Sequence, residues 1–229
     1  MVRVPYVLCL LAFLSAFACA QGAPDKPTVT FTLDFPGSEP EHYAIQIRED
    51  GLSSYQSSGK VSADSEEADT FSFDFAVSPE TREKVFDLTA RTKYFQNDLD
   101  SHRKNMAFTG KKTLTYKDGQ RSGESTFNYS LDVAVQDLTN LFQGLSSTLE
   151  TGHRLQHDYR YQKLALEEEL KRAEEMARTG SPMELQAIAP ILQQIVADSS
   201  VMNVSRARAQ RLLKRAGKPY QAGPEGAGK

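Results

Sequence analysis

The sequence predicts an α+β fold: a mainly antiparallel sheet packed on a helix, followed by a helical C-terminal extension. Three observations lead there. Phe71, Phe73 and Phe75 alternate with Ser72 and Asp74, the period-two pattern of a strand with one dry face, and they run into a helix start at Val77-Ser78-Pro79-Glu80. Asp50-Gly51 and Asp118-Gly119 each sit between alternating runs, where glycine supplies the positive φ of a tight hairpin. From Asp132 onward the apolar residues recur at three and four, the spacing of an amphipathic helix.

Residues 1–20 read as a secretory signal peptide. Arg3 gives the positive start, Tyr6 to Phe17 the apolar run, and Ala18-Cys19-Ala20 a small-residue cleavage site. That run is short for a membrane span, and nothing later offers another. Both cysteines, Cys9 and Cys19, lie inside it, so a mature chain from Gln21 holds together without a disulfide. Ala16-Phe17-Ala18-Cys19 also loosely resembles a bacterial lipobox; lipidation of Cys19 would be the route to a membrane. Export to the periplasm or the exterior is the expectation, with a Cys19-anchored lipoprotein as the alternative. The 229 residues carry a formal net charge of −3, which gives no general attraction for nucleic acid.

The sheet domain is expected over residues 28–131. Thr28 to Phe35 alternates cleanly, and Pro36-Gly37-Ser38-Glu39-Pro40 breaks it. His42 to Arg48 and a weaker run from Leu52 to Gln56 flank the first Asp-Gly turn. The acidic run Asp64, Glu66, Glu67 and Asp69 has oxygens of the kind calcium takes, but not the spacing of an EF-hand loop, and reads as a solvated loop. The Phe strand is expected to be covered, at least in part, by the helix it feeds, which places Val85, Leu88, Thr92 and Phe95 near one face. Gln96 to Gly110 is a long polar connection. It contains Asp100, Ser101 and His102, the residue types of a hydrolase triad, without a nucleophile elbow. Lys112 to Lys117 and Ser122 to Tyr129 form the second hairpin.

The helical region is expected over 132–216. Leu138, Leu141, Phe142, Leu145 and Leu149 make its first stripe, and Leu155, Leu166, Leu170 and Ala173 continue it. Unbroken to Thr179 this helix would be roughly 70 Å long, so a break near Gly152 or a projecting arm is expected. Ser181-Pro182-Met183-Glu184 is a capping box opening a helix that Pro190 should kink. A basic helix from about Val204 to Ala216 follows, and 217–229 reads as a disordered tail.

Two constellations carry chemistry. Glu150, His153 and His157 lie at i, i+3 and i+7, so a continuous helix puts them on one face as candidate metal ligands of a metal-dependent hydrolase. Arg154, however, stands where a zincin motif has its glutamate base, and a wet helix face is the competing reading. Arg206, Arg208 and Arg211 on the last helix are candidate anion-binding residues, unless they answer the chain's own Glu167 to Glu169. Asn128-Tyr129-Ser130 and Asn203-Val204-Ser205 match the glycosylation sequon. No sequence feature calls for a cofactor.

The order of a strand, Gly37-Ser38-Glu39-Pro40-Glu41-His42-Tyr43, an Asp50-Gly51 turn, a Phe strand, Ser78-Pro79-Glu80 opening a helix, Tyr94-Phe95 and a Lys117-Asp118-Gly119 hairpin resembles a family of uncharacterised exported bacterial domains. That family carries a Gly-x-Cys-Pro-x-Tyr step where this chain has Glu39 in the cysteine position. The resemblance spans roughly Thr28 to Thr151 and implies an exported α+β domain without naming an activity. The expectation is an exported, non-enzymatic binding or envelope-structural domain, partnered by another protein or an envelope component.

Overall fold

The computed structural model describes residues 26–60, 68–179 and 183–217. The expected signal peptide with Cys19, the acidic residues Asp64, Glu66 and Glu67, the expected cap residues Ser181 and Pro182, and the residues from 218 onward lie outside them. The fold is α+β. Six antiparallel strands, β1 (Thr28–Asp34), β2 (His42–Arg48), β3 (Leu52–Lys60), β4 (Ala68–Ala76), β5 (Lys111–Lys117) and β6 (Ser122–Phe127), line up in the order β4-β3-β2-β1-β5-β6. Both Asp-Gly turns form as the sequence predicts. Gly51 has φ +85° and Gly119 φ +81°, and each preceding aspartate accepts from backbone beyond the turn.

Alternation fixes the register. Phe73, Tyr55, Ile45, Phe31, Leu114 and Ser125 form one row across the helix-facing side. The other side is polar, with Thr30 beside Thr115 and Thr113 bonded to Thr126.

Among the described residues there are five α-helices: α1 (Pro79–Arg91), between β4 and β5, and α2 (Val133–Tyr161), α3 (Leu166–Arg178), α4 (Ala189–Ala197) and α5 (Asn203–Ala216), after the last strand. Ser78 caps α1, its hydroxyl accepting from the Thr81 amide at 3.2 Å, with Pro79 in the first turn. Instead of lying along the Phe strand, α1 packs on α2 and β1. Topology requires this. β4 is an edge strand and β5 lies beyond β1, so α1 must carry the chain back across the sheet. α2 reaches β4 through His153, whose ring stacks on Phe71, and Phe71 and Phe73 remain half-buried.

The long helix does not break at Gly152. It runs to Tyr161 and turns at Gln162–Ala165, where Gln162 has φ −144° and ψ 59°. Gly152 is there for contact: an added Cβ would lie 2.5 Å from Ile188 Cγ2. Through this helix the two halves of the molecule share an element. Leu138, Phe142, Leu145 and Leu149 pack on the sheet, while Leu155 joins Leu166, Leu170, Ile188, Leu192 and Leu212 in a second core. Phe142 stacks on Phe31 at 5.1 Å between ring centres.

Between α3 and α4 the expected helix from Pro182 is replaced by a 3₁₀ turn, Leu185–Ile188, with Pro190 in the first turn of α4. The proline marks a change of helix type, because its missing N–H is harmless at a helix start. Glu184 reaches α1 instead of a cap. It accepts from Thr81 Oγ1 at 2.7 Å and Ser78 Oγ at 3.1 Å, tying the two cores together.

Candidate functional site

The edge of the sheet at β4 carries the most suggestive site. Phe71 and Phe73 from β4, Leu149, Gly152, His153 and Gln156 from α2, and Ala187, Ile188, Pro190 and Ile191 line a pocket of about 90 Å³. Its walls are mostly apolar because three apolar surfaces meet there: the Phe strand, the α2 stripe and the 3₁₀ turn. Gly152 permits their close approach.

A polar cluster sits behind the pocket. The His153 ring lies on Phe71 with centroids 4.0 Å apart and planes 6° from parallel. His153 Nδ1 stands 3.9 Å from Glu150 Oε2. The Tyr55 hydroxyl donates to Glu150 Oε1 at 2.6 Å and lies 3.0 Å from Ser146 Oγ. Burial pushes the Glu150 carboxyl up, but hydrogen bonds from His153, Tyr55 and Ser57 outweigh it and hold the group below its ordinary value. Burial first, and then the neighbouring Glu150 charge, push the Tyr55 phenol well up.

The structure does not gather Glu150, His153 and His157 into a ligand set. Glu150 and His153 turn toward β3 and β4, whereas His157 is exposed, pairs with Asp158 at 3.3 Å and lies by Tyr161. Glu150 and His157 share a helix face, but they stand seven residues, roughly 10 Å, apart along the axis, and His157 has its own neighbours there. Among the described residues no group of three or more His, Cys, Asp or Glu side chains comes together as a metal site.

The arginines answer the chain's own acids. Arg208 donates to Glu167 at 2.9 Å and also pairs with Glu174, which Arg211 holds at 2.6 Å. The Arg211 guanidinium, with Arg208 behind it, keeps Glu174 below the ordinary carboxylate value. Arg206 does not join them; its Nε is buried without a hydrogen-bond partner among the described residues. Lys171, Arg178, Arg208, Arg211 and Arg215 nonetheless line a cleft of about 400 Å³ between α3 and α5, together with Glu174 and Glu175.

The residues of the 96–110 connection form no triad. His102 Nε2 lies 2.6 Å from Asp98, and Asp100 accepts from the Asn128 and His102 amides. Asn128 is itself engaged, accepting from the Thr109 amide and donating to the Ala107 carbonyl. Lys112 escaped the sequence reading. It is buried, and its ammonium donates to Thr109 O, Thr109 Oγ1, Gly110 O and Asn128 O at 2.9–3.2 Å. Burial lowers its pKa. The clue was a lysine in the dry register of Leu114 and Tyr116. For the pocket, the clue was a glycine within the apolar stripe of α2.

No helix among the described residues is long and apolar enough to cross a membrane. Comparison with protein-family models and with curated proteins finds no match.

Proposed function

We propose that this chain is an exported, non-enzymatic binding protein whose seat is the apolar pocket beside β4. The single observation that carries the reading is the pocket's composition and size. At about 90 Å³ it is far smaller than the several hundred Å³ of a drug-sized ligand site. It is also below the roughly 150 Å³ of an engineered cavity that takes benzene. One branched aliphatic group fits. Binding rather than catalysis is supported by the commitment of the nearest polar groups to one another: Tyr55 and Ser146 to each other, Tyr55 to Glu150, and His153 to Phe71. Export rests on the N-terminal pattern of Arg3, an apolar run and Ala18-Cys19-Ala20.

Titration of purified protein with isoamyl alcohol, followed by methyl NMR, tests the seat. Shifts confined to Leu149, Ile188 and Ile191, and suppressed when Gln156→Trp closes the mouth, are expected. Shifts spread evenly over exposed methyls, or none at all, would remove the reading.

A second reading is anion binding in the α3–α5 cleft, favoured by its five cationic side chains against two carboxylates. The ion pairs that Glu174 makes with Arg208 and Arg211 already neutralise part of that charge, so the pocket is preferred.

A further inference from the structure

We infer that the free edge of β4 and the pocket together receive an extended peptide with alternating aliphatic and basic residues, added to the sheet as a strand. This rests on the pocket being the seat, and it names the partner.

The two edges of the sheet are treated differently. At β6 the chain packs its own 94–101 segment against the strand: Gly123 lies so near Tyr94 O that an added Cβ on its buried face would stand 2.0 Å away. The Leu99 amide donates to Ser125 Oγ at 3.0 Å, and the Ser101 amide to Tyr129 O at 2.8 Å. Among the described residues β4 pairs with β3 alone, and its nine residues include no proline to interrupt an added partner. Among the described residues nothing is laid along it. Proteins usually blunt such an edge, and an open one is a template for backbone pairing.

Side-chain alternation sets what the partner must carry. On the helix-facing side, its residues would stand roughly 5 Å from Phe71 and Phe73, over the mouth of the pocket. One aliphatic side chain fills that volume. On the other side lie Ser72 and Asp74, both exposed, so the intervening residues are best basic. A second copy of this chain fits poorly: its β4 would offer phenyl rings to a pocket too small for them, and no cation to Asp74.

The test uses a fluorescent peptide, acetyl-Thr-Val-Lys-Leu-Lys-Val-Thr-amide, titrated with the protein and read by anisotropy. Two further versions carry N-methyl groups on one or the other alternate set of amides. Saturable binding is expected, abolished by methylation of one set and kept with the other. Asp74→Lys should shift preference toward the Glu-for-Lys peptide by roughly two- to fivefold. Equal binding of both methylated peptides would overturn strand addition. No binding of the parent peptide, while isoamyl alcohol still shifts the Ile191 methyls, would overturn the peptide inference and leave the seat standing. Loss of both would end both. A dimer in sedimentation that excludes the peptide would also overturn it.

Discussion

His153 lies flat on Phe71, ring centres 4.0 Å apart, and so joins the C-terminal third of α2 to the edge strand β4. On one side of this pair the buried hydroxyls of Tyr55 and Ser146 converge on Glu150; on the other side the apolar pocket opens. Strand, helix and 3₁₀ turn meet at this point, and four measurements bear on how the molecule is held together around it and beyond.

Gly152→Ala should destabilise the protein. In an exposed helix this change stabilises by about 1 kcal/mol. Here the new Cβ meets Ile188 Cγ2 at 2.5 Å and Ile188 Cβ at 3.3 Å, and overpacking costs about 1–3 kcal/mol. Urea denaturation gives the sign directly. A gain in stability would mean that the 3₁₀ turn does not press on α2.

Glu150 makes stability depend on acid. Its carboxyl is pushed up by burial, yet pulled below its ordinary value of 4.5 by His153, Tyr55 and Ser57. A carboxylate depressed in the folded state stabilises fully above its ordinary pKa and loses that contribution as pH falls through the folded value. Wild type should therefore lose stability as pH falls below about 4.5, and Glu150→Gln should show a shallower slope. Parallel slopes would place the acid response elsewhere.

Lys112→Met leaves four oxygens without the ammonium that serves them. A cost of about 1–3 kcal/mol is expected. Amide exchange should quicken at Thr109, near the end of the 96–110 connection, and at Asn128, just after β6, more than in α5. Uniform exchange changes would show that Lys112 does not anchor that connection.

Glu174→Gln releases Arg208 and Arg211 from their shared partner. The loss in stability should be about 1 kcal/mol or less, and smaller at high salt. Retention on a heparin column should rise, because one negative charge is removed and the Arg211 guanidinium becomes available, while Arg208 keeps Glu167. Unchanged elution would show that the α3–α5 cleft gains no anion affinity when freed.

Much of the fold was legible because strands and helices announce themselves locally. Thr28 to Asp34 and His42 to Arg48 alternate without exception, and both Asp-Gly turns fall where their geometry demands glycine. β3 runs on to Lys60 although Ser57, Ser58 and Gly59 carry little strand signal, because β4 pairs along its whole length. The order of strands is non-local, so nothing near Phe71 told that β4 is an edge or that α1 would leave it for β1. The same holds for Gly152. A helix breaker and a contact point look alike in sequence, and only Ile188, 36 positions later, decides between them. The metal reading drew on helical spacing alone, and the sheet, which pulls Glu150 and His153 inward and leaves His157 outside, lies beyond what spacing encodes.

The central claim is that an open apolar seat exists between β4 and α2. A crystal pressurised with xenon measures this directly, since xenon enters small dry cavities and avoids polar ones. A single strong peak between Phe73, Leu149, Ile188 and Ile191 is the result the account predicts. A pocket filled by ordered water, or closed by Phe73 and Ile191 in contact, would contradict it.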